Sequence, residues 1–247
     1  MSGAGPAGTV FLVRHGRTAA TQNTYVGWGD PPLDAAGTEQ AAMLLETLRD
    51  ERIDAVYSSP LGRAIATARP LALARRLEIR VRTQLREIHY GDYQGLRKEA
   101  RRLKLRTAHR YEPMPRGESL FDLYRRVEEF GAEVVRTVRE GRRIVVVGHY
   151  WSNRMLIGCL EGARFDAIVN APSYKPANGS ILEVVCRPSA GGVTVCSSAL
   201  RSSQGAEVVM NVDWTHAAVA ADRRFDPSLV TQEQDEVGNV CEIAHAA

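Results

Sequence analysis

Two short apolar runs constrain the fold of this chain more than any other feature. Residues 9–13 and 144–147 are continuous, rich in β-branched side chains and too short for helices. Such runs are typical of strands that are buried on both faces of a sheet. Helical patterns alternate with these and other short strands, so the sequence predicts an α/β fold with a mostly parallel sheet.

Apolar periodicity predicts the remaining elements. The predicted strands are 9–13, 54–57, 79–81, 144–147, 181–186, 193–196 and a short 208–212. Strands 181–186 and 193–196 form a hairpin or are neighbours. The predicted helices are 36–50, 61–77, 98–110, 119–140 and 151–159. We expect a flexible start at 1–8, one domain over 9–200 and a C-terminal extension over 201–247, polar and tail-like beyond 222.

Composition excludes several classes of protein. The 247 residues are 44% hydrophobic and 25% charged, which are ordinary values for a soluble globular domain. A formal net charge of +3 is too small to indicate nucleic acid as a partner. The sequence shows neither a membrane-length apolar run nor a signal peptide, so we expect a cytoplasmic protein with no membrane partner.

The chain has four cysteines, and their spacing matches neither a zinc site nor a redox motif. So few cysteines are consistent with free, mostly buried thiols in a reducing compartment. They are Cys159, Cys186, Cys196 and Cys241.

Basic and imidazole side chains follow three of the predicted strands. Arg14 and His15 end the first strand, and His149 follows the strand 144–147. Arg63 falls in the first turn of the helix after strand 54–57, where a helix N-terminus also favours anions. Ligands of α/β sheets bind beyond the carboxyl ends of the strands. Each residue alone is most simply structural or a surface side chain, but together they predict a pocket for a doubly charged phosphoryl group.

Further motifs accompany these strand ends between residues 9 and 195. In chain order the motifs are Arg14-His15-Gly16, Gly27-Trp28-Gly29-Asp30-Pro31-Pro32-Leu33, Ser58-Ser59-Pro60-Leu61-Gly62-Arg63, Leu85-Arg86-Glu87, Gly117-Glu118-Ser119 with Arg126, and Val147-Gly148-His149. The ordered series resembles the phosphoglycerate-mutase-like branch of the histidine phosphatase superfamily. The resemblance implies a three-layer sandwich with helices on both faces of the sheet, and chemistry without a metal or other cofactor. Members are often homodimers, although nothing in this sequence locates an interface.

The resemblance also implies roles for individual residues. His15 corresponds to the nucleophile that forms a phosphohistidine, and Glu87 to the proton donor. Arg14, Arg63 and His149 correspond to the groups that hold the phosphoryl oxygens. Further phosphate or substrate contacts are implied at Thr21, Asn23, Gly27, Tyr90 and Lys98.

Three positions depart from the family pattern. Arg17 stands where Glu or Gln is frequent, and it either binds a second anionic group or faces solvent. Thr21 stands where a phosphate-binding Asn is common, and Asn23 substitutes for that Asn if the loop shifts. Tyr150 and Trp151 follow His149 in place of Gly, and they either form a wall of the substrate site or pack under the sheet edge.

The segment 97–116 is strongly basic. One interpretation is a solvated helix face, which charged runs usually are. The other is a lid that selects substrates with an additional acidic group, with Lys98 and either Arg101 or Arg102 contributing.

Three functions are consistent with the resemblance. The favoured one is a metal-independent phosphomonoesterase acting on a small phosphorylated metabolite. The alternative is a phosphoglycerate-type mutase, which residues 87–91 and 95–98 resemble, although the segment 98–117 is short and Ile88 stands where mutases carry a substrate-binding Arg. A third is an inactive anion-binding scaffold, against which the retention of all five principal site residues argues.

Overall fold

The computed structural model of the protein describes residues 6–21, 23–99, 103–171, 175–190, 192–201 and 208–209. Within these residues the strands form a single seven-stranded sheet of order β3-β2-β4-β1-β5-β6-β7. The strands are β1 (Gly8–Arg14), β2 (Ala55–Ser58), β3 (Ile79–Val81), β4 (Arg143–Gly148), β5 (Ile181–Ser189), β6 (Gly192–Arg201) and β7 (Val208–Val209).

The sheet is parallel over the half that carries the predicted site. Strands β3, β2, β4 and β1 are parallel neighbours, whereas β5, β6 and β7 add to β1 as antiparallel strands. Parallel neighbours deliver their carboxyl ends to one edge, so the residues that follow β1, β2 and β4 meet there.

Helices cover both faces of the sheet, which confirms the predicted α/β sandwich. The helices are α1 (Ala35–Thr47), α2 (Gly62–Arg75), α3 (Leu120–Arg139), α4 (Tyr150–Leu160) and α5 (Phe165–Asn170). Alternate residues of β1 point to opposite faces, as the pleat requires. Val10 and Leu12 join the core beneath α3, α4 and α5, while Phe11 and Val13 join the core beneath α1 and α2.

Helix boundaries follow from capping side chains. The carboxylate of Asp34 accepts the Gly37 amide and begins α1. Ser119 and Asp122 form a reciprocal capping box at the start of α3. The predicted helices 36–50, 61–77, 119–140 and 151–159 are therefore present, with ends shifted by one to three residues.

The predicted helix 98–110 is wrong for the part that the structure describes. Residues 98–99 and 105–110 form turns and residues 103–104 have no regular structure, so none of them is helical. The carbonyls of His109 and Arg110 accept the amides of Leu120 and Phe121 at the start of α3, so they are engaged outside their own segment. The Arg110 guanidinium also bonds Asp166 at 3.0 Å, which ties the segment to α5. Helical periodicity does not reveal such long-range partners.

Other elements add to or limit the sequence prediction. Helix α5 was not anticipated, whereas β5 and β6 form the expected antiparallel pair. The predicted strand 208–212 is present at 208–209 and otherwise lies outside the described residues, as do 1–5, Cys241 and the predicted tail.

Of the other cysteines, only Cys186 is fully buried; Cys159 is half-buried and Cys196 exposed. No helix among the described residues is long and apolar enough to cross a membrane.

Candidate active site

The register of the sheet brings the two site histidines together. Arg14 of β1 lies opposite Gly148 of β4, so the next residues, His15 and His149, emerge side by side. The His15 amide donates to the Gly148 carbonyl at 3.0 Å. The two imidazole rings are 4.9 Å apart between centroids and tilted by 57°. Both side chains are buried.

His15 is held as a neutral imidazole with a defined tautomer. Its Nδ1 lies 2.7 Å from the Gly16 carbonyl oxygen, which only accepts, so Nδ1 carries the proton. Its Nε2 lies 3.3 Å from the Nε of Arg63, which donates. Burial, reinforced by Arg63 and Arg14, lowers the pKa of His15 to about 3. The Nε2 atom is therefore unprotonated, as a nucleophile must be, and its lone pair accepts from Arg63.

Arg63 is a buried cation between the two histidines. Its side chain is 1% exposed, and its Nη2 lies 3.3 Å from the Nδ1 of His149. Two carbonyls of the loop after β1 accept from it, Gly29 at 2.5 Å and Gly27 at 2.8 Å. Burial lowers the pKa of Arg63, and Glu87 and Asp30 oppose that effect. An anion that enters the site meets a guanidinium that already has a fixed position.

Gly27 is required by the backbone at this point. Its φ is +53°, and a Cβ there would lie 2.5 Å from the Oε1 of Gln94 and 3.0 Å from the Ile88 carbonyl oxygen. Only glycine turns the loop so that the Gly27 carbonyl reaches Arg63.

The N-terminus of α2 does not present free amides to an anion, contrary to the sequence prediction. Leu61, the residue before α2, makes no side-chain cap. The carboxylate of Asp30 takes that place, accepting the amides of Gly62 at 2.6 Å and Arg63 at 3.3 Å. Attraction for a phosphoryl group at this position therefore comes from the guanidinium rather than from the helix end.

His149 is oriented by Ser59 from the neighbouring strand end. The Nε2 of His149 lies 2.8 Å from the Ser59 hydroxyl, and its Nδ1 accepts from Arg63. Burial, with Arg63 next in importance, holds the pKa of His149 well below its usual value. His149 is thus neutral, with Nδ1 directed at Arg63.

Arg14 lines the site on the side of β5. Its Nη1 donates to the Pro176 carbonyl at 2.8 Å, and its guanidinium lies 5.7 Å from the centroid of the Tyr150 ring. Trp151 is 6% exposed and belongs to the hydrophobic core. Trp151 thus packs inside. Tyr150 is partly buried against the same core and adjoins Arg14, and its place in a wall of the substrate site stays a prediction.

Glu87 is a buried carboxyl at the same edge. Its Oε1 accepts the amides of Ile88 at 3.0 Å and Trp151 at 3.2 Å. Burial raises the pKa of Glu87, and those amides together with Arg14 and Arg63 only partly offset it. A carboxyl that stays protonated beyond its ordinary range can act as a general acid.

The main chain of Glu87 is held by residues whose role the sequence did not indicate. Its carbonyl accepts from the indole Nε1 of Trp28 at 2.7 Å and from the Nη2 of Arg126 at 2.8 Å. Arg126 in turn forms a bidentate ion pair with Glu118, both bonds at 2.8 Å. Trp28, Glu118 and Arg126 all occur in the family motifs of the sequence, but the motifs alone assign them no role.

Two more missed residues fix the loop that carries His15. The Thr67 hydroxyl accepts the Gly16 amide at 2.9 Å and donates to the Arg63 carbonyl at 2.8 Å. The Asn178 amide donates to the His15 carbonyl at 3.0 Å. Both contacts join segments far apart in sequence, so spacing alone gives no sign of them.

The remaining predicted contacts fall in different places. Tyr90 is buried, and burial raises its pKa well above the usual value. Lys98 is electrostatically coupled to Arg14 and Glu87, and partial burial lowers its pKa. The Asn23 carbonyl accepts the Lys98 amide at 2.9 Å, but its side chain is exposed and no described contact joins it to the histidines. Thr21 ends a short 3-10 helix.

Some predicted positions cannot be compared with the structure. The side chain of Thr21 lies outside the described part of the chain, as do Arg101 and Arg102. Arg17 is partly exposed and its Nε pairs with Asp34 at 2.8 Å, and a second anionic group at Arg17 stays a prediction.

The geometry is matched by a family comparison. Residues 10–198 match the model of the histidine phosphatase superfamily (branch 1). The chain belongs to this superfamily. The matched residues include the two histidines at the strand ends and the arginines around them.

Relatives of this histidine phosphatase carry different activities in their names. It is 33% identical over 162 residues to phosphoserine phosphatase 1 of Hydrogenobacter thermophilus, covering 62% of this chain and 76% of the relative. It is 32% identical over 175 residues to a phosphoglycerate mutase of Schizosaccharomyces pombe, covering 65% and 82%.

Solved structures of similar fold are also named phosphatases. A mycobacterial glucosyl-3-phosphoglycerate phosphatase matches with a TM-score of 0.67 and 25% identity, covering 84% of this histidine phosphatase and 100% of that chain. The alpha-ribazole phosphatase of Shigella flexneri matches with a TM-score of 0.64 and 26% identity, covering 76% and 94%.

Proposed function

We propose that this histidine phosphatase hydrolyses a small phosphorylated metabolite through a phosphohistidine on His15. The observation that carries the proposal is the state of His15, which is buried and neutral. Its hydrogen bond to the Gly16 carbonyl places the proton on Nδ1, and its Nε2 is directed at Arg63. A neutral imidazole with an oriented lone pair beside a guanidinium suits nucleophilic attack on a phosphate ester.

In the first step, the Nε2 of His15 attacks phosphorus and a P–N bond forms as the ester P–O bond breaks. The leaving alkoxide takes a proton from Glu87, so the alcohol departs neutral and Glu87 becomes a carboxylate. The raised pKa of Glu87 supports this role, since the group must be protonated when the ester arrives.

In the second step, water attacks the phosphohistidine and the P–N bond breaks. The Glu87 carboxylate accepts a proton from that water, inorganic phosphate leaves and His15 returns to its neutral form. The same carboxyl therefore serves as acid and then as base, and the cycle needs no further proton donor.

Charge on the transferring group is stabilised by Arg14, Arg63 and His149. Arg63 and Arg14 supply fixed positive charge in a site from which burial excludes most water. A dianionic phosphoryl group raises the pKa of a neighbouring imidazole. As the dianion binds, His149 takes up a proton from solvent and so adds positive charge beside the phosphoryl oxygens, and it returns that proton to solvent when inorganic phosphate leaves.

Phosphoglycerate mutase activity is the second candidate, because the chain is also about a third identical to a mutase. One structural observation disfavours it. Ile88, which stands where mutases carry a substrate-binding arginine, is 0% exposed and packs in the core. An apolar side chain at position 88 cannot bind an anionic substrate group, so hydrolysis is the better-supported outcome.

The test is phosphate release from 4-nitrophenyl phosphate by the wild type, His15→Ala and His109→Ala. His109 is the control, because its ring lies beside Tyr93 and its Nδ1 is 3.3 Å from the Glu112 carbonyl oxygen, so it is a histidine outside the pair at the strand ends. We expect release by the wild type and His109→Ala only, with acid-labile radiolabel trapped on His15 after brief incubation. Equal release from all three proteins contradicts the proposal. Label without release favours the mutase, and neither label nor release favours the scaffold.

A further inference from the structure

Arg126 makes an unusual set of contacts for a helix residue. All described hydrogen bonds of its guanidinium go to Glu118 or to main-chain carbonyls within residues 84–87. Its Nη1 donates to the carbonyls of Gln84 and Arg86, both at 2.7 Å, and its Nη2 donates to the Glu87 carbonyl at 2.8 Å. One guanidinium thus fixes three carbonyls around the acid residue.

Glu118 completes the arrangement from the other side. Its two carboxylate oxygens accept from the Nε and Nη2 of Arg126, both at 2.8 Å. Its Oε2 also accepts the His89 amide at 2.9 Å. The ion pair therefore grips the main chain on both sides of Glu87. The side chains are 17% and 18% exposed, so water competes little with these bonds.

Trp28 adds a second donor to the Glu87 carbonyl, at 2.7 Å from its indole nitrogen. Trp28 lies between Gly27 and Gly29, whose carbonyls hold Arg63. The loop that positions the phosphate-binding cation is thus bonded directly to the residue that supplies the proton.

We propose that the Glu118–Arg126 ion pair, with the Trp28 indole, positions the Glu87 carboxyl for proton transfer to the leaving group. These residues act through the main chain of Glu87 and touch no reacting atom, so they are positioning residues. The inference rests on the proposed phosphatase function. It makes the ion pair part of the acid machinery rather than a general support of the fold.

A second ion pair on α3 provides a matched control. Arg82 and Glu133 are also bidentate, at 2.9 and 2.7 Å, and join α3 to the end of β3. The only described carbonyl that the Arg82 guanidinium reaches is that of Val81. Replacement of either arginine by lysine keeps the charge and loses the forked geometry.

The experiment measures kcat/KM for aryl phosphates whose leaving groups range from 2,4-dinitrophenol to phenol. This parameter reports steps up to release of the alcohol, and a poor leaving group needs Glu87 while a good one does not. For Arg126→Lys we expect a loss of at least tenfold on phenyl phosphate and less than threefold on 2,4-dinitrophenyl phosphate. For Arg82→Lys we expect less than twofold on both.

Double variants separate positioning from general damage. In a Glu87→Gln background the acid is already absent, so Arg126→Lys should cost less than twofold on phenyl phosphate. A loss that is uniform across leaving groups, or that persists undiminished in the Glu87→Gln background, overturns the proposal.

Trp28→Phe decides the question if Arg126→Lys does not fold. It keeps an aromatic ring at this position beside Arg86 and His89, removes the indole N–H and makes the side chain smaller. We expect the same dependence on leaving group, and a uniform effect or none contradicts the proposal. A wild type without His15-dependent phosphate release refutes the proposed function instead, so the two failures are distinguishable.

Discussion

The Nε of Arg63 lies 3.3 Å from the Nε2 of His15, so one guanidinium adjoins the proposed nucleophile and also the position of the phosphoryl group. Its positive charge opposes protonation of the imidazole. The residue that attracts the substrate therefore also helps to keep the nucleophile reactive, and the two functions cannot be tuned separately at this position.

Glu87→Gln should slow the hydrolysis of esters with poor leaving groups by roughly a hundredfold or more, because glutamine cannot donate the proton. Esters of 2,4-dinitrophenol should be affected far less in kcat/KM. Since only the protonated form of Glu87 acts in the first step, the alkaline limb of the wild-type kcat/KM profile should disappear in the variant. Glu112→Gln, on an exposed turn, is the control, and a uniform loss across leaving groups contradicts the acid role.

The stability of the protein should fall in mild acid partly because of His15. Its pKa is about 3 in the folded protein and 6.5 in a model peptide, so between these values the unfolded chain binds a proton that the folded protein refuses. Stability is therefore highest above pH 6.5 and declines as the pH falls toward 3. Between pH 7 and pH 5, this one group lowers the free energy of unfolding by about 1–2 kcal/mol.

Urea denaturation of the wild type and His15→Ala at both pH values measures this contribution. The variant should lose less stability on acidification by about that amount. His149 acts in the same direction and Glu87 in the opposite one, and both are present in each protein. Because His15 contributes to the lowered pKa of His149, the difference measures His15 together with its effect on His149. Equal losses of unfolding free energy in the two proteins would show that the pKa of His15 is not lowered in the folded state.

Gly27→Ala should impair both stability and turnover. A Cβ at Gly27 meets the Gln94 amide oxygen and the Ile88 carbonyl, so the loop must move and Arg63 loses an acceptor. We expect a stability loss of about 2–3 kcal/mol and at least a tenfold drop in kcat. Gly95→Ala is the matched control, since its φ is +81° but nothing lies within 4 Å of its Cβ position. It should lose only about 1 kcal/mol and keep its activity. Similar kinetics for the two variants would contradict the argument.

Lys98→Ala tests whether the rim of the site selects acidic substrates. Lys98 is coupled to Arg14 and Glu87, which puts its charge near the proposed reaction. Loss of one partly exposed ion pair is worth about 1 kcal/mol, so KM for a carboxylate-bearing phosphomonoester should rise about fivefold. KM for 4-nitrophenyl phosphate should change little. Lys104→Ala, exposed farther along the same segment, should alter neither value; equal shifts on both substrates would argue against selection.

The sequence predicted the parts of the site that depend on strand ends. Arg14, His15 and His149 follow continuous apolar runs, and parallel pairing of those runs necessarily brings them to one edge. Arg63 was reached by the same reasoning, through the strand before its helix. These predictions needed only local pattern and sheet topology.

Other parts depend on contacts that no local pattern contains. Asp30 caps α2 from a preceding loop, and Arg126 reaches the Glu87 carbonyl from a helix 39 positions later. In the segment predicted as a helix over 98–110, two carbonyls bond the start of α3 and Arg110 bonds Asp166 of α5. Such long-range hydrogen bonds lie outside what propensity and periodicity can predict.

The carbonyls of Gly27 and Gly29 that accept from Arg63 have a consequence for the stability of the protein. A buried cation whose partners are mainly neutral dipoles costs free energy to fold, but it requires almost no reorganisation when a phosphoryl group binds. Preorganisation of the site therefore lowers the free energy of unfolding. Binding of an anion beside Arg63 should offset this cost and raise the melting temperature.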